Sequence, residues 1–192
     1  PGLPPPRTIE WWPADAQWSN YPELFTLLPM ARYLRNSLLV VAAAVPLTLL
    51  TASLAGFGLS QLPEQPRRRV INWSVLFLLI PASAVWLFRF QILRWLGLID
   101  SLWALILPAF AASSPLFVLL YFWSFRRVPA ELIEAARLDG AEAGVAWWRV
   151  GLPLVRPTTV AVSVLTFVLY WSDFISPVLY IYQARWYTLP IG

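Results

Sequence analysis

Residues 36–63 read NSLLVVAAAVPLTLLTASLAGFGLSQLP, 28 consecutive positions without a charge. A bilayer core needs about 20 helical residues to cross. An uncharged run of this length decides the fold, because an isolated helix satisfies its own backbone hydrogen bonds in lipid. Three more runs follow. Residues 70–88 carry no charge over 19 positions, residues 101–125 none over 25, and residues 157–184 carry one, Asp173. The pattern predicts an all-α polytopic membrane helix bundle of about four spans, near 36–60, 70–93, 102–125 and 157–181. Pro46, Pro81, Pro108 and Pro115 fall inside these runs. They read as kinks, since neighbouring helices can satisfy the carbonyls that a proline frees.

Composition agrees with the runs. The chain has 192 residues, enough for one domain, of which 59% are hydrophobic and 12% charged. Soluble domains carry about 25% charged residues. Cys, His and Lys are absent. That removes Cys and His metal sites, thiol or imidazole catalysis, Schiff-base lysines and a disulfide framework. It also removes the phosphate-binding lysine of a Walker A loop. No cofactor is expected. The formal charge is +4, but the arginines are spread along the chain and flank apolar runs, so nucleic acid is not an expected partner.

The connections are unequal. Segment 61–69 holds Arg67, Arg68 and Arg69, and segment 126–156 holds five arginines. The segment between them, near 94–101, is short. An arginine excess marks the cytoplasmic side, which places 61–69 and 126–156 inside and both chain ends outside. Segment 1–32 is rich in Pro and Trp and reads as an external loop with interfacial anchors. It begins with Pro and shows no signal-peptide pattern.

Residues 129–157 read PAELIEAARLDGAEAGVAWWRVGLPLVRP. Pro129 suits a helix start, with Glu131 and Glu134 near its positive end. Leu132, Ala135, Ala136 and Leu138 give a narrow apolar face, and Gly140 ends or turns that helix. A second amphipathic stretch follows, with Val145, Trp148 and Leu152 on one side. Pro153 and Pro157 break the chain before the last span. The stretch therefore predicts a helix–turn–helix lying on the cytoplasmic face, and an interfacial amphipathic pair has the same composition.

Glu134-Ala135-Ala136, three residues ending in Asp139, Gly140, nine residues, then Val150-x-Leu152-Pro153 resembles the EAA signature of binding-protein-dependent ABC importer permeases. Val150 stands where that family usually has Ile. Leu79-Ile80-Pro81, Leu96-Gly97-Leu98, Trp171-Ser172-Asp173-Phe174 and Thr188-Leu189-Pro190-Ile191-Gly192 are similar to landmarks of its carbohydrate subgroup, with the smaller maltose-type subunit the nearest likeness. The resemblance covers about residues 30–192. It implies a non-enzymatic transport subunit in a bacterial or archaeal cell membrane, moving a sugar by alternating access. It implies three protein partners besides the bilayer: ABC ATPase subunits, a second permease subunit and an extracytoplasmic solute-binding protein. Segment 126–157 would then be the coupling loop, with Glu134, Ala135, Ala136, Asp139, Gly140, Leu152 and Pro153 facing the ATPase. Family members have a further span on each side, so the whole chain, 1–192, reads as one permease domain from the middle of a longer protein. Arg89 departs from the family, which usually has an apolar residue there. A permease for polyamine or phosphate shares the loop signature, and an assembly protein without transport is the other alternative. A membrane-embedded enzyme would need clustered ionisable residues on facing spans, and the spans offer Asp173 and Arg89.

Thr159, Ser163, Thr166, Tyr170 and Asp173 follow at steps of four, three, four and three, one stripe of a helix. A stripe ending in a carboxylate should not face lipid. It fits a hydroxyl-glued helix seam or a translocation path, and the two can overlap. Ser163, Thr166, Tyr170, Trp171, Asp173 and Arg89 are the candidate path residues, with Arg89 the candidate partner of Asp173. Ser83 and Trp86 share a face of the second span, and Ser114 and Tyr121 share one of the third. Ala52 and Gly56 form a small-xxx-small pair suited to helix packing.

Overall fold

A computed structural model describes residues 28–192 of the chain. The expected external loop over 1–32 lies almost wholly outside the described residues. Among them the ordered structure is helical. Helix α1 spans Met30–Gln61 and runs unbroken through Pro46. Its 32 residues extend about 48 Å at 1.5 Å per residue, more than a bilayer core of about 30 Å. Part of the surplus lies at its start, where Arg32 and Arg35 ride on the helix.

The second run departs from its expectation. Only Leu62 and Pro63 connect α1 to α2, Glu64–Leu78, so Arg67, Arg68 and Arg69 sit on helix rather than in a loop. Glu64 pairs with Arg68 at 2.7 Å across one turn. Helix α3, Ala82–Trp95, then leaves at 99° to α2. The sequence suggested a kink at Pro81, and the structure has a break. Proline cannot donate the next intrahelical hydrogen bond, and its ring crowds the carbonyl four residues back. The last turn of α2 tightens instead, with Leu79 N–H on Leu76 C=O at 3.1 Å.

The third run is interrupted midway. It comprises α4, Trp103–Ile106, a 3₁₀ stretch over Leu107–Ala111, and α5, Pro115–Phe125. Ala112 and Ser113 between them take left-handed φ values of 58° and 57°. Ser114 caps α5 by accepting from Leu116 N–H at 3.2 Å, and Pro115 holds the first helical φ. The loop region contains α6, Ala130–Leu138, then α7, Ala143–Val145, a π-turn over Ala146–Gly151, and α8, Leu152–Leu154. That run meets α9, Arg156–Trp171, at 85°. Helix α9 ends ten residues before the expected 181. Residues 172–174 break it, and α10, Ile175–Tyr180, follows. By length and apolarity Met30–Gln61 and Trp103–Phe125 can each cross a membrane, and the two bent pairs bring the count to as many as 4.

Helix α1 is the central post, packed against α5, α9 and the 3₁₀ stretch. Close approach is written into Gly56. A Cβ there would lie 2.6 Å from Tyr121 Cβ and 2.9 Å from both Phe122 N and Val118 O. Ala52, fully buried one turn earlier, continues the small face. Below this seam Phe57 meets Phe125 edge-on at 5.3 Å, with Tyr121, Ile133, Trp147 and Val162 completing one core. A second core, toward the 94–101 end, gathers Val40, Leu93, Leu105, Ile106, Tyr180 and Ile181. Val160, Val164 and Val168 on α9 are more than half exposed, on the face opposite the hydroxyl stripe. They form an apolar exterior suited to lipid or a neighbouring subunit.

Three side chains fasten the segment after α10. Gly97 and Asp100 turn with φ of 68° and 61°, and Asp100 Oδ1 accepts from Tyr182 N–H at 3.0 Å and Gln183 N–H at 2.8 Å. Asn36, fully buried on α1, donates to the carbonyls of Arg185 and Tyr187, each at 2.9 Å. Ser37 Oγ accepts from Leu189 N–H at 2.8 Å.

Two outcomes follow for the protein purified in detergent. Gly56→Val forces the α1–α5 seam apart and lowers stability by about 1–3 kcal/mol, as overpacking does. Gly58→Ala, where a Cβ meets nothing within 4 Å, is neutral or slightly stabilising; equal effects of the two on denaturant midpoints would refute the seam. Asp100→Ala leaves two backbone donors without their acceptor and costs about 1–3 kcal/mol. Asp100→Asn, which keeps an oxygen and tolerates the left-handed region, retains most of that stability. The check is protease cleavage after residue 181, faster in Asp100→Ala than in Asp100→Asn.

Candidate functional site

The loop region is built as a braced turn. Pro129 sets up α6, whose buried residue, Ile133, enters the core beside Trp147. The end of α6 closes on itself. Asp139 N–H bonds Ala135 C=O at 3.0 Å, Gly140 N–H bonds Arg137 C=O at 3.0 Å, and Ala141 N–H bonds Ala136 C=O at 2.9 Å. Gly140 stands at φ 85°. This is the left-handed helix ending that glycine permits and β-branched residues resist. Space is not the constraint, because a Cβ on Gly140 would meet nothing within 4 Å. Arg137 Nη2 donates to Gln61 Oε1 at 2.7 Å and ties α6 to the end of α1.

The structure joins Glu134, Ala135, Ala136, Asp139 and Gly140 in one element, α6 and the turn that ends it, and places Leu152 and Pro153 on α8. Glu134, Ala135, Asp139 and Gly140 are exposed, and Ala136 is half-buried. Glu134 lines a crevice of about 260 Å³ with Gln61, Arg67, Arg126 and Arg137. Asp139 and Gly140 line another of about 410 Å³ with Glu142 and Arg149. Leu138, at the end of α6, is 90% exposed. The π-turn orients the two tryptophans oppositely: Trp147 is buried and Trp148 is 62% exposed. Leu152 and Pro153 lie on its far side, lining an apolar cleft with Tyr121, Trp147 and Trp148.

The second region lies toward the other end of the bundle. A cavity of about 420 Å³ is lined by Trp86, Arg89, Ser113, Tyr170, Asp173 and Ser176, among others. Two helix breaks meet there, the one at 112–114 and the one at 172–174. Three hydroxyls run off the first: Thr48 Oγ1 to Ser113 Oγ at 2.6 Å, and Ser113 Oγ to Tyr170 OH at 2.9 Å. Asp173 caps the helix after the second, its Oδ1 accepting from Ser176 N–H at 3.0 Å.

Of the candidate path residues, the structure brings Arg89, Tyr170 and Asp173 into this cavity. It does not bring in the others. Ser163 donates to Thr159 C=O at 2.8 Å, Thr166 is fully buried in the helix seam, and Trp171 stacks on Phe167 at 5.4 Å. Asp173 lies beyond the end of α9, so the stripe on that helix stops at Tyr170. Asp173 is half-buried, and among the described residues the ion pair formed is Arg68–Glu64 rather than Arg89–Asp173. The spacing arguments pass over Ser113 and Thr48. The signal for Ser113 was the Ser113-Ser114-Pro115 sequence inside an apolar run, a helix-start pattern where a continuous helix was expected.

No family model matches the chain. It is 30% identical to the sulfoquinovosyl glycerol transport system permease protein of Agrobacterium fabrum, over 97% of this chain and 65% of that protein. It is 28% identical to the lactose transport system permease protein of Rhizobium radiobacter, over 85% of this chain and 59% of that one. With an ABC transporter permease protein of Streptomyces antibioticus it shares 30% identity, over 93% of this chain and 78% of the relative. The chain thus spans less than two thirds of the first two relatives. The crystal structure of a bacterial ABC transporter involved in the import of the acidic polysaccharide alginate has the same fold, with a TM-score of 0.78 at 21% identity, over 93% of this chain and 62% of that one. The extent of the match to the Streptomyces protein, together with a shared helical architecture, shows that this chain belongs to the ABC transporter permease family.

Proposed function

We propose that this chain is the transmembrane permease subunit of an ATP-driven, binding-protein-dependent importer of a sugar or oligosaccharide, working by alternating access. The observation that carries the reading is the braced helix–turn–helix over 130–154. It presents Glu134, Asp139, Gly140 and the uncovered Leu138 outward, while Ile133 and Trp147 anchor it in the membrane-side core. A loop that only lay on a bilayer would turn its apolar side chains toward lipid together. Here one set is buried in the protein and another, Leu138 beside the Gly140 turn, points away from it.

In this reading 61–69 and 126–157 face the cytoplasm of a bacterial or archaeal cell, and the chain crosses its inner membrane several times. Separate ATPase subunits hydrolyse ATP, a second permease subunit completes the channel, and a solute-binding protein delivers substrate from outside. Glu134, Ala135, Ala136, Asp139 and Gly140 dock on the ATPase, and Leu152 and Pro153 pass its movement to α9. Arg89, Tyr170 and Asp173 line the outer part of the path. Ser163, Thr166 and Trp171 belong to the helix that moves it. Sugar is favoured over polyamine or phosphate by the names of the relatives, sulfoquinovosyl glycerol and lactose permeases among them.

The test is Gly140 in the reconstituted complex. Gly140→Val places a β-branched residue at φ 85°, at a cost of about 1–2 kcal/mol in local strain. The turn distorts while the membrane helices stay intact. The variant assembles in normal yield but loses at least tenfold in transport and in the stimulation of ATP hydrolysis by loaded binding protein. Gly140→Asn, which tolerates the left-handed region, keeps most of both. Wild-type coupling in the valine variant would refute the docking role.

A further inference from the structure

We propose that the cavity between the two helix breaks receives the acid group of an anionic sugar, with Arg89 as its contact. The inference rests on the import reading above and names the substrate class of its outer site. Arg89 is half-buried in the cavity wall. The described residues place no carboxylate within 4.0 Å of it, since the ion pair they form is Arg68–Glu64. Asp173 shares the cavity beyond ion-pair distance of Arg89, with one oxygen accepting from Ser176 N–H at 3.0 Å. A guanidinium at this depth needs an anion, a dipole or water to replace its hydration.

The guanidinium's flat fork of donors matches a carboxylate or sulfonate in two parallel hydrogen bonds. The rest of the lining suits a sugar ring. Trp86 offers a flat apolar surface. The Ser113 and Tyr170 hydroxyls line the wall, with Thr48 buried behind them and bonded to Ser113. When Thr48 donates to Ser113 and Ser113 to Tyr170, the Tyr170 O–H is left for a ligand, and the free oxygen of Asp173 can accept from a sugar hydroxyl. The volume, about 420 Å³, lies within the range of about 300–1,000 Å³ usual for small-molecule sites.

The assembled transporter, purified with its ATPase and partner permease but without binding protein, is titrated with trigalacturonate and with galactotriose. Direct binding bypasses the selectivity of the binding protein. Wild type binds the acidic probe at least tenfold more tightly. Arg89→Gln removes that preference, while Arg89→Lys keeps part of it. Equal affinity for the two probes in wild type, no binding of either, or a preference that survives in Arg89→Gln would each overturn the assignment. Gel filtration of the complexes, with the lysine variant alongside, separates loss of contact from loss of fold. Stimulation of ATP hydrolysis by loaded binding protein is measured in the same preparations. If it is intact while the acid preference is absent, only the acid-group assignment falls; if both are absent, the import reading falls with it.

Discussion

Every backbone group freed by a helix break inside an apolar run must find its partner within the protein, because lipid offers none. The described chain breaks its runs at 79–81, 112–114 and 172–174, and the interior polar groups are arranged around that requirement. At 112–114 the closing bonds are Ala112 N–H to Ala109 C=O and Ser113 N–H to Pro108 C=O, at 3.1 and 2.9 Å. Thr51 Oγ1 reaches across from α1 to the same Ala109 carbonyl at 2.9 Å. At 172–174 Ser172 N–H returns to Val168 C=O, and Asp173 caps the helix beyond. Hydroxyls and a carboxylate that satisfy backbone also leave polar surface behind. That is why the cavity with Arg89 lies where two of the breaks meet rather than elsewhere in the bundle.

The same requirement explains the strain. Ala112 and Ser113 are successive non-glycine residues in the left-handed region, a conformation that costs about 1–2 kcal/mol each. It persists because both sides are over-determined. The 3₁₀ stretch is held against α1, and α5 is started by Ser114 and Pro115 and then locked by the Gly56 contact. A strained joint between two rigid pieces can take a second arrangement with little rebuilding. Tyr170 on α9 is hydrogen-bonded to that joint through Ser113. Movement of α9 along its axis would therefore be felt at the break, and through it at Thr48 on α1.

The sequence made the helical class and the membrane setting legible because uncharged length is a direct measure of bilayer crossing. The loop was legible for a different reason. Pro129, Gly140 and Pro153 are local punctuation, and the helix end at Gly140 obeys backbone rules that need no tertiary partner. Ala52 and Gly56 were also readable, since small residues one turn apart have few other uses in an apolar helix. The ends of the spans were not readable. A run of uncharged residues does not distinguish a continuous helix from two helices joined by a 3₁₀ stretch, so α9 was expected to reach 181 and stops at 171. The periodicity that put Asp173 on the Tyr170 stripe assumed helix through residue 173, where the chain has already turned. Asn36 and Asp100 illustrate the other limit: their partners are backbone groups of residues 182–187, and nothing in local spacing announces a contact across that distance.

The two cores divide the labour along α1. The core toward the loop is aromatic and tight, with Phe57, Tyr121, Phe125 and Trp147 interlocked and Gly151 close enough that a Cβ would lie 3.1 Å from Phe125. Close-packed interiors transmit displacement rather than absorb it. The core toward the 94–101 end is held differently, by side chains that grip backbone: Asp100 on 182 and 183, Asn36 on 185 and 187, Ser37 on 189. Such contacts fix a segment's path while leaving its side chains, Tyr182 among them, exposed. Between these two rigid ends lie the breaks and the cavity. Ser113 of the strained joint lines the cavity that holds Arg89, so the joint links the tight core, through Ala112, to the cavity wall.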